Sequence, residues 1–206
     1  MLQVEDLQFV SNNIKVNLTH NQIKVINLAH VEEIAKYQKV PRDVLIFVEA
    51  NPINCDCSAY DFLRYLDGRL HPYVQNYFHI IPQHLTCQSP GWLEGIEVTD
   101  LKSKQLKCQI LDPCPDRCTC WLKRDDDTFL VDCSYKNLTN VPRDIKILPN
   151  FARVELNLTG NKLIKMVPLT EIGLDDVQIS KLLLSNNNIN KISVNELPLN
   201  MKVRKI

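Results

Sequence analysis

The chain has 206 residues, 45% of them hydrophobic and 23% charged, with Lys+Arg and Asp+Glu balanced at 24 each. This composition fits a folded protein of one or two domains and excludes a disordered tail. The zero formal net charge excludes an overall field that would draw the chain to nucleic acid or an anionic membrane. No stretch approaches the ~18 uncharged apolar residues of a membrane span. The opening MLQVEDLQFV carries two acids and no basic n-region, so it is not read as a signal peptide. The chain begins and stops inside repeat-like sequence. We read it as a fragment whose secretion signal, and any membrane anchor, lie outside it.

In chain order, the first feature is a short block of the form apolar-x-apolar-x-x-Asn-x-apolar. Val16 to Ile23 is one copy, with Asn at 21, and Ile46 to Ile53 is another, with Asn at 51. Two more copies close the chain, Leu156 to Leu163 with Asn161 and Leu182 to Ile189 with Asn187. The last two lie 26 residues apart, inside the 20–29 range of a leucine-rich repeat. Alternating residues of a strand face one way, so Val16 and Leu18, Leu156 and Leu158, or Leu182 and Leu184, are expected in a core. The asparagine carries both donors and acceptors and can satisfy buried backbone groups of neighbouring coils. A single coil cannot bury its own apolar edge, but stacked coils can. The register is imperfect, because the first apolar position of the full repeat is Ile179 in the fourth copy but Asn13, Asp43 and Arg153 in the others.

The first cysteine group follows the second copy: Cys55-x-Cys57, then Cys87 and Cys108. Between them Ala59, Phe62, Leu63, Leu66 and Leu70 recur at helical spacing, with Ser58 as the expected N-cap. Val74, Tyr77, Phe78 and Ile81 read as a second helical turn or two. After five residues, Gln109 to Pro113, comes the second group: Cys114-x3-Cys118-x-Cys120-x12-Cys133. So short a linker is expected to hold its two sides close. The last interval, Trp121 to Asp132, reads as a hairpin with the charged tip Lys123-Arg124-Asp125-Asp126-Asp127.

Eight cysteines in two local clusters have two readings. Disulfides persist outside the reducing cytosol. Structural zinc sites use C-x2-4-C knuckles and often histidine; here two pairs are C-x-C and no His lies near the second group, which favours disulfides. Little else carries chemistry. Gly is scarce at five and forms no phosphate loop. His20, His30, His71, His79 and His84 stand at no recognisable metal spacing. Asp125-Asp126-Asp127 lacks the spacing of a calcium loop. Lys123-Arg124 reads as paired surface charge rather than a processing site. No catalytic constellation, cofactor site or metal site is expected. Three N-x-S/T sequons start at Asn17, Asn137 and Asn157. Asn17 and Asn157 sit between core-facing residues, so their side chains should point out of the concave sheet.

These motifs carry a resemblance. Asn51-Pro52-x-x-Cys55-x-Cys57, a helix, Cys87-x-x-Pro90-x-x-Leu93-x-Gly95 and Cys108 resemble the C-terminal flanking module of extracellular leucine-rich repeat proteins. Cys114-Pro115-x-x-Cys118-x-Cys120, then Cys133 and Val141-Pro142, resemble the N-terminal flanking module. The pairing this implies is Cys55 with Cys87, Cys57 with Cys108, Cys114 with Cys120 and Cys118 with Cys133, each worth roughly 2–4 kcal/mol in loop entropy. Two families set such caps back to back: the secreted Slit-type guidance proteins, and the Toll receptors of insects. The long interval from Cys120 to Cys133 is similar to Toll receptors and about double the Slit type. The departures are the long gap in the first cap and Arg204, which stands where the next repeat wants an apolar residue.

The expected fold is therefore an α/β leucine-rich repeat solenoid (a horseshoe) in two short segments joined by disulfide-bonded caps. Its parts are repeats over 1–53, a C-terminal cap over 54–108, a linker over 109–113, an N-terminal cap over 114–145 and repeats over 146–206. The resemblance implies the membrane-proximal part of a single-pass, non-enzymatic receptor on the extracellular side of the plasma membrane. It also implies a dimeric cystine-knot ligand of the Spätzle type and a second receptor chain as partners, without nucleic acid. A secreted Slit-like guidance or adhesion protein is the alternative. An intracellular zinc protein, the third reading, predicts bound metal and free thiols. The expected partner contact is the hairpin: Trp121, Lys123, Arg124, Asp125, Asp126, Asp127 and Phe129.

Overall fold

The computed structural model describes residues 1–38, 40–143, 145–146, 153–174 and 178–192, the side chains of Leu169 and Thr170 excepted. The expected departure at Arg204 and the repeats beyond 192 lie outside the described residues. The chain divides into two compact units, Met1–Leu106 and Lys107–Ile206.

The first unit opens with β1 (Leu2–Gln3), β2 (Asn13–Asn17), β3 (Ile26–Asn27), α1 (Val31–Ala35) and β4 (Asp43–Phe47). It continues with β5 (Ile53–Asn54), α2 (Tyr60–Leu66), β6 (His79–Ile81) and β7 (Cys87–Ser89). Its main sheet is parallel, ordered β2-β4-β6. β2 alternates apolar and polar residues, while β4 and β6 carry the consecutive β-formers Val44 to Phe47 and Ile80 to Ile81. In the central strand and its exit, Val44, Ile46 and Val48 are completely buried. On the edge strand β2, Val16 and Leu18 are only half-buried. Position explains the difference: β4 has a neighbour on each side and β2 on one.

The helix α2 differs from expectation at both ends. Asp56, not Ser58, opens it: Asp56 Oδ1 accepts the Ser58 N–H at 2.8 Å and the Ser58 hydroxyl at 2.6 Å. A short 3-10 turn, Cys57–Ala59, then leads into α2. The carboxylate satisfies a helix-start N–H, which a serine does less strongly. The helix stops at Leu66, with Gly68 in the left-handed region at φ +65°. Leu70 is buried beyond the helix end. Of the expected second helical turns, only the 3-10 turn Pro72–Val74 forms. Ile81 lies in β6, where Ile80 and Ile81 align with Ile46 and Phe47 of β4. Two β-branched residues beside an open strand edge take the ladder, and Pro82 ends it.

The second unit has one five-stranded sheet, ordered β12-β11-β10-β9-β8. Its strands are β8 (Lys107–Ile110), β9 (Thr119–Lys123), β10 (Thr128–Asp132), β11 (Arg153–Asn157) and β12 (Gln178–Leu183). β8-β9-β10 pair antiparallel, and β10-β11-β12 pair parallel. Gln109 and Ile110, expected in a linker, are strand residues, because their backbone pairs with Cys120 and Trp121. Phe129, Val131, Val154, Leu156 and Leu158 are buried in the core of this unit. Leu182 and Leu184, expected in the same core, are half-buried. Among the described residues β12 has no strand on its outer edge.

Candidate functional site

The cysteines are built into the ends of these sheets. Cys55 is bonded to Cys87, one residue past β5 and the first of β7, strands that pair parallel. Cys114 is bonded to Cys120, and Cys118 to Cys133, closing the turn before β9 onto the sheet. Cys57 and Cys108 are disulfide-bonded too, and no cysteine is free. The zinc reading, which requires free thiols, is overturned by the complete oxidation.

The repeated asparagines form the internal wiring of each unit. Asn161 donates through Nδ2 to the carbonyls of Cys133 and Leu158, both at 2.9 Å. Its Oδ1 accepts the N–H groups of Lys136 and Leu138, both at 3.0 Å. Asn187 repeats this one coil on, donating to Leu158 and Leu184 and accepting from Leu163. In the first unit Asn51 donates to Leu18 and Val48 and accepts from Ile23. Asn21 is exposed and donates to the Thr19 carbonyl of its own turn. The residue before each of these asparagines has positive φ: His20, Ala50, Gly160 and Asn186. That left-handed step turns the chain out of the strand and aims the amide back at the neighbouring coil.

The sequon asparagines are used differently. Asn17 is exposed, and its Oδ1 accepts both the N–H of Thr19 at 3.0 Å and its hydroxyl at 2.7 Å. Asn157 is half-buried and makes the same turn with the N–H of Thr159 at 3.1 Å. Asn137 is exposed with φ +56°. Both strand sequons point away from the core: Val154 and Leu156 face it before Asn157, and Asn17 aligns with Phe47, on the face opposite the buried Val44 and Ile46.

Two polar clusters tie α2 to the chain that follows it. Tyr65 is buried, accepts the Ile80 N–H at 3.0 Å and donates to the Phe78 carbonyl. Burial raises its pKa, opposed by the Ile80 bond. The Asp67 carboxylate accepts the Ser103 N–H at 2.7 Å and pairs with Lys102 at 3.3 Å. Burial pushes its pKa up, but the Ser103 and Lys102 bonds outweigh it and hold the group below its ordinary value. Arg42, which the sequence did not single out, is buried. Its guanidinium donates to the carbonyls of Phe9 and Ser11 and lies over the Tyr77 ring.

No family model matches the chain. It is 32% identical over 211 residues to Protein toll of Drosophila melanogaster, covering 97% of this chain and 19% of that protein. Its structure superposes on a solved Toll–Spatzle complex, described as a molecular hub in Drosophila development and innate immunity, with a TM-score of 0.79 at 32% identity. The glycosylated form of that complex gives a TM-score of 0.80 at 31% identity. Each covers 97% of this chain, which spans 26% and 25% of theirs. The chain belongs with the Toll-type ectodomains. It spans about a fifth of the length of the curated relative.

In this Toll-type segment the expected contact hairpin exists as β9 and β10 with a tip over 124–127, but its side chains divide. Phe129 is completely buried in the core and cannot meet a partner. It alternates inward with Val131, the consequence of a strand face that the flanking charges do not reveal. Lys123 is tied to Glu155 of β11 at 2.8 Å. Trp121 is half-buried and aligned with Leu130 on the outer face. Arg124, Asp126 and Asp127 are exposed, and Asp125 is half-buried. Among the described residues no group of three or more His, Cys, Asp or Glu side chains is placed to hold a metal ion, and no helix is long and apolar enough to cross a membrane.

Proposed function

We propose that this Toll-type segment is where one leucine-rich solenoid is closed by a disulfide-bonded cap and the next is opened by another. The receptor binds a dimeric cystine-knot cytokine of the Spätzle type and pairs with a second receptor chain to start innate immune or developmental signalling. The segment is extracellular and membrane-proximal, acts by binding rather than catalysis, and reaches the membrane only through a span outside these residues. In this reading Cys57 pairs with Cys108, so that 54–108 and 114–145 are the two caps. Asn17, Asn137 and Asn157 carry sugar. The exposed hairpin tip at Arg124, Asp126 and Asp127, with Trp121 beside it, is the contact element.

The observation that carries this reading is the match of nearly the whole chain to Toll in complex with Spatzle. The cap-to-cap cysteine order supports it. The test uses the complete receptor on a cell surface, with and without a purified Spätzle-type dimer. Saturable binding and ligand-dependent pairing of two receptor chains are expected. A well-displayed receptor that neither binds nor pairs would contradict the reading.

A further inference from the structure

We propose that a carbohydrate linked to Asn17 lies back along the outer face of the first unit's sheet and stacks on Phe47. The proposal rests on the extracellular reading above, because attachment needs a lipid-pyrophosphate-linked oligosaccharide of the secretory pathway. In that step the Asn17 amide nitrogen forms a bond to the sugar C1. The C1–O bond to the pyrophosphate breaks, and the nitrogen loses a proton.

Three observations place the sugar. The first is the amide itself. Asn17 Oδ1 takes both polar hydrogens of Thr19, while its Nδ2 has no partner among the described residues. In Asn51, Asn161 and Asn187 the Nδ2 is committed to backbone carbonyls. The second is register. Asn17 aligns with Phe47, and Phe47 with Ile81. Lys15, Leu45 and His79 form the adjacent row. Neighbouring strands lie about 4.8 Å apart, so the Phe47 side chain is the first object beside the attachment point. The third is exposure. Leu45, Phe47 and Ile81 are half-buried on the face opposite the core residues Val44, Ile46 and Ile80. They form an apolar ledge on a face otherwise lined by Asn13, Lys15 and Asp43.

The C–H face of a pyranose is apolar, with its hydrogens positive, and meets the negative face of an aromatic ring favourably. A sugar tethered one strand away has a high effective concentration at the ring. A protein ligand using this ledge would have to displace it. The second unit supplies the contrast. Asn157 makes the same turn, but its strand neighbours are Asp132 and Leu183, neither of them aromatic.

The test is thermal unfolding of the secreted chain in four forms: parent, Asn17→Gln, Phe47→Ser and the double variant. Losing the Asn17 sugar should lower the parent Tm by roughly 2–4 °C and leave the Phe47→Ser background unchanged. Asn157→Gln should show no such dependence on Phe47. Because Phe47→Ser disturbs a half-buried position, the N-acetyl methyl proton signal of the first sugar in the parent provides a second reading. A ring-current upfield shift is expected, and it should vanish in Phe47→Leu. Equal losses in both backgrounds with an unshifted methyl signal would overturn the stacking. So would a secreted chain sugar-modified at Asn137 or Asn157 but bare at Asn17, and this result would leave the receptor reading intact. A secreted chain bare at all three sequons also overturns it. Free thiols together with failure to be secreted would instead strike at the extracellular reading on which it rests.

Discussion

Asn161 carries more of the second unit than its size suggests. It is only 6% exposed and is bonded at both ends to the coil that runs through Cys133 and Leu138. Removing it strands the N–H groups of Lys136 and Leu138 and the Cys133 carbonyl at once, while the Leu158 carbonyl keeps its bond from Asn187. Asn161→Ala should therefore cost about 2–4 kcal/mol, while Asn21→Ala, at an exposed position, should cost less than about 0.5 kcal/mol. Denaturant unfolding of both variants checks this; equal costs would mean that the amide wiring does not hold the stack. Asp67 sets a pH dependence. Its folded pKa is lower than that of an unfolded Asp, near 3.9. Its contribution is therefore fully present above that value and is lost as pH falls through the folded value. Asp67→Asn should lower the Tm at pH 7, and the gap from the parent should close as the pH drops below about 4.

At the scale of strands and turns, burial follows the place in the stack. Leu156→Ala, in the middle of the sheet, should cost about 2–5 kcal/mol. Leu184→Ala, beyond the edge strand and half-buried, should cost about 1–2 kcal/mol. Unfolding midpoints in urea distinguish these, and the reverse order would contradict the sheet order. The hairpin tip is tested separately. Charge reversal at Arg124, Asp126 and Asp127 should weaken ligand-induced receptor pairing without changing secretion or Tm, and unchanged pairing would leave the tip without a contact role. The asparagine positions were legible because a repeated amide among apolar alternations has few other uses, and Asn51, Asn161 and Asn187 bond as that logic requires. Leu182 and Leu184 misled because alternation reports which face a residue takes, not whether a further strand covers it. Phe129 misled in the opposite way: proximity to charges in sequence hid its inward phase. The helix start was missed at Asp56 because Ser58 and Asp56 both suit a cap, and only the backbone path chooses between them. Phe47 was not singled out and Ile81 was read as helical, because an outer-face ledge appears only when strands are placed in register.

At the scale of the whole chain, the two units have different sheets, one parallel and one mixed, each tied at its end by disulfides. Antiparallel strands β8 to β10 cover one edge of the second sheet, which a parallel stack alone would leave with unpaired backbone groups. The balanced charge and the oxidised cysteines agree with an extracellular binding segment. The central claim is that one cap directly follows another along this chain, and peptide mapping of the secreted protein under non-reducing conditions tests it most directly. The account predicts four bridges, Cys55–Cys87, Cys57–Cys108, Cys114–Cys120 and Cys118–Cys133, with no free thiol. A bridge joining any of Cys55, Cys57, Cys87 and Cys108 to any of Cys114, Cys118, Cys120 and Cys133, or a free thiol among the eight, would contradict it.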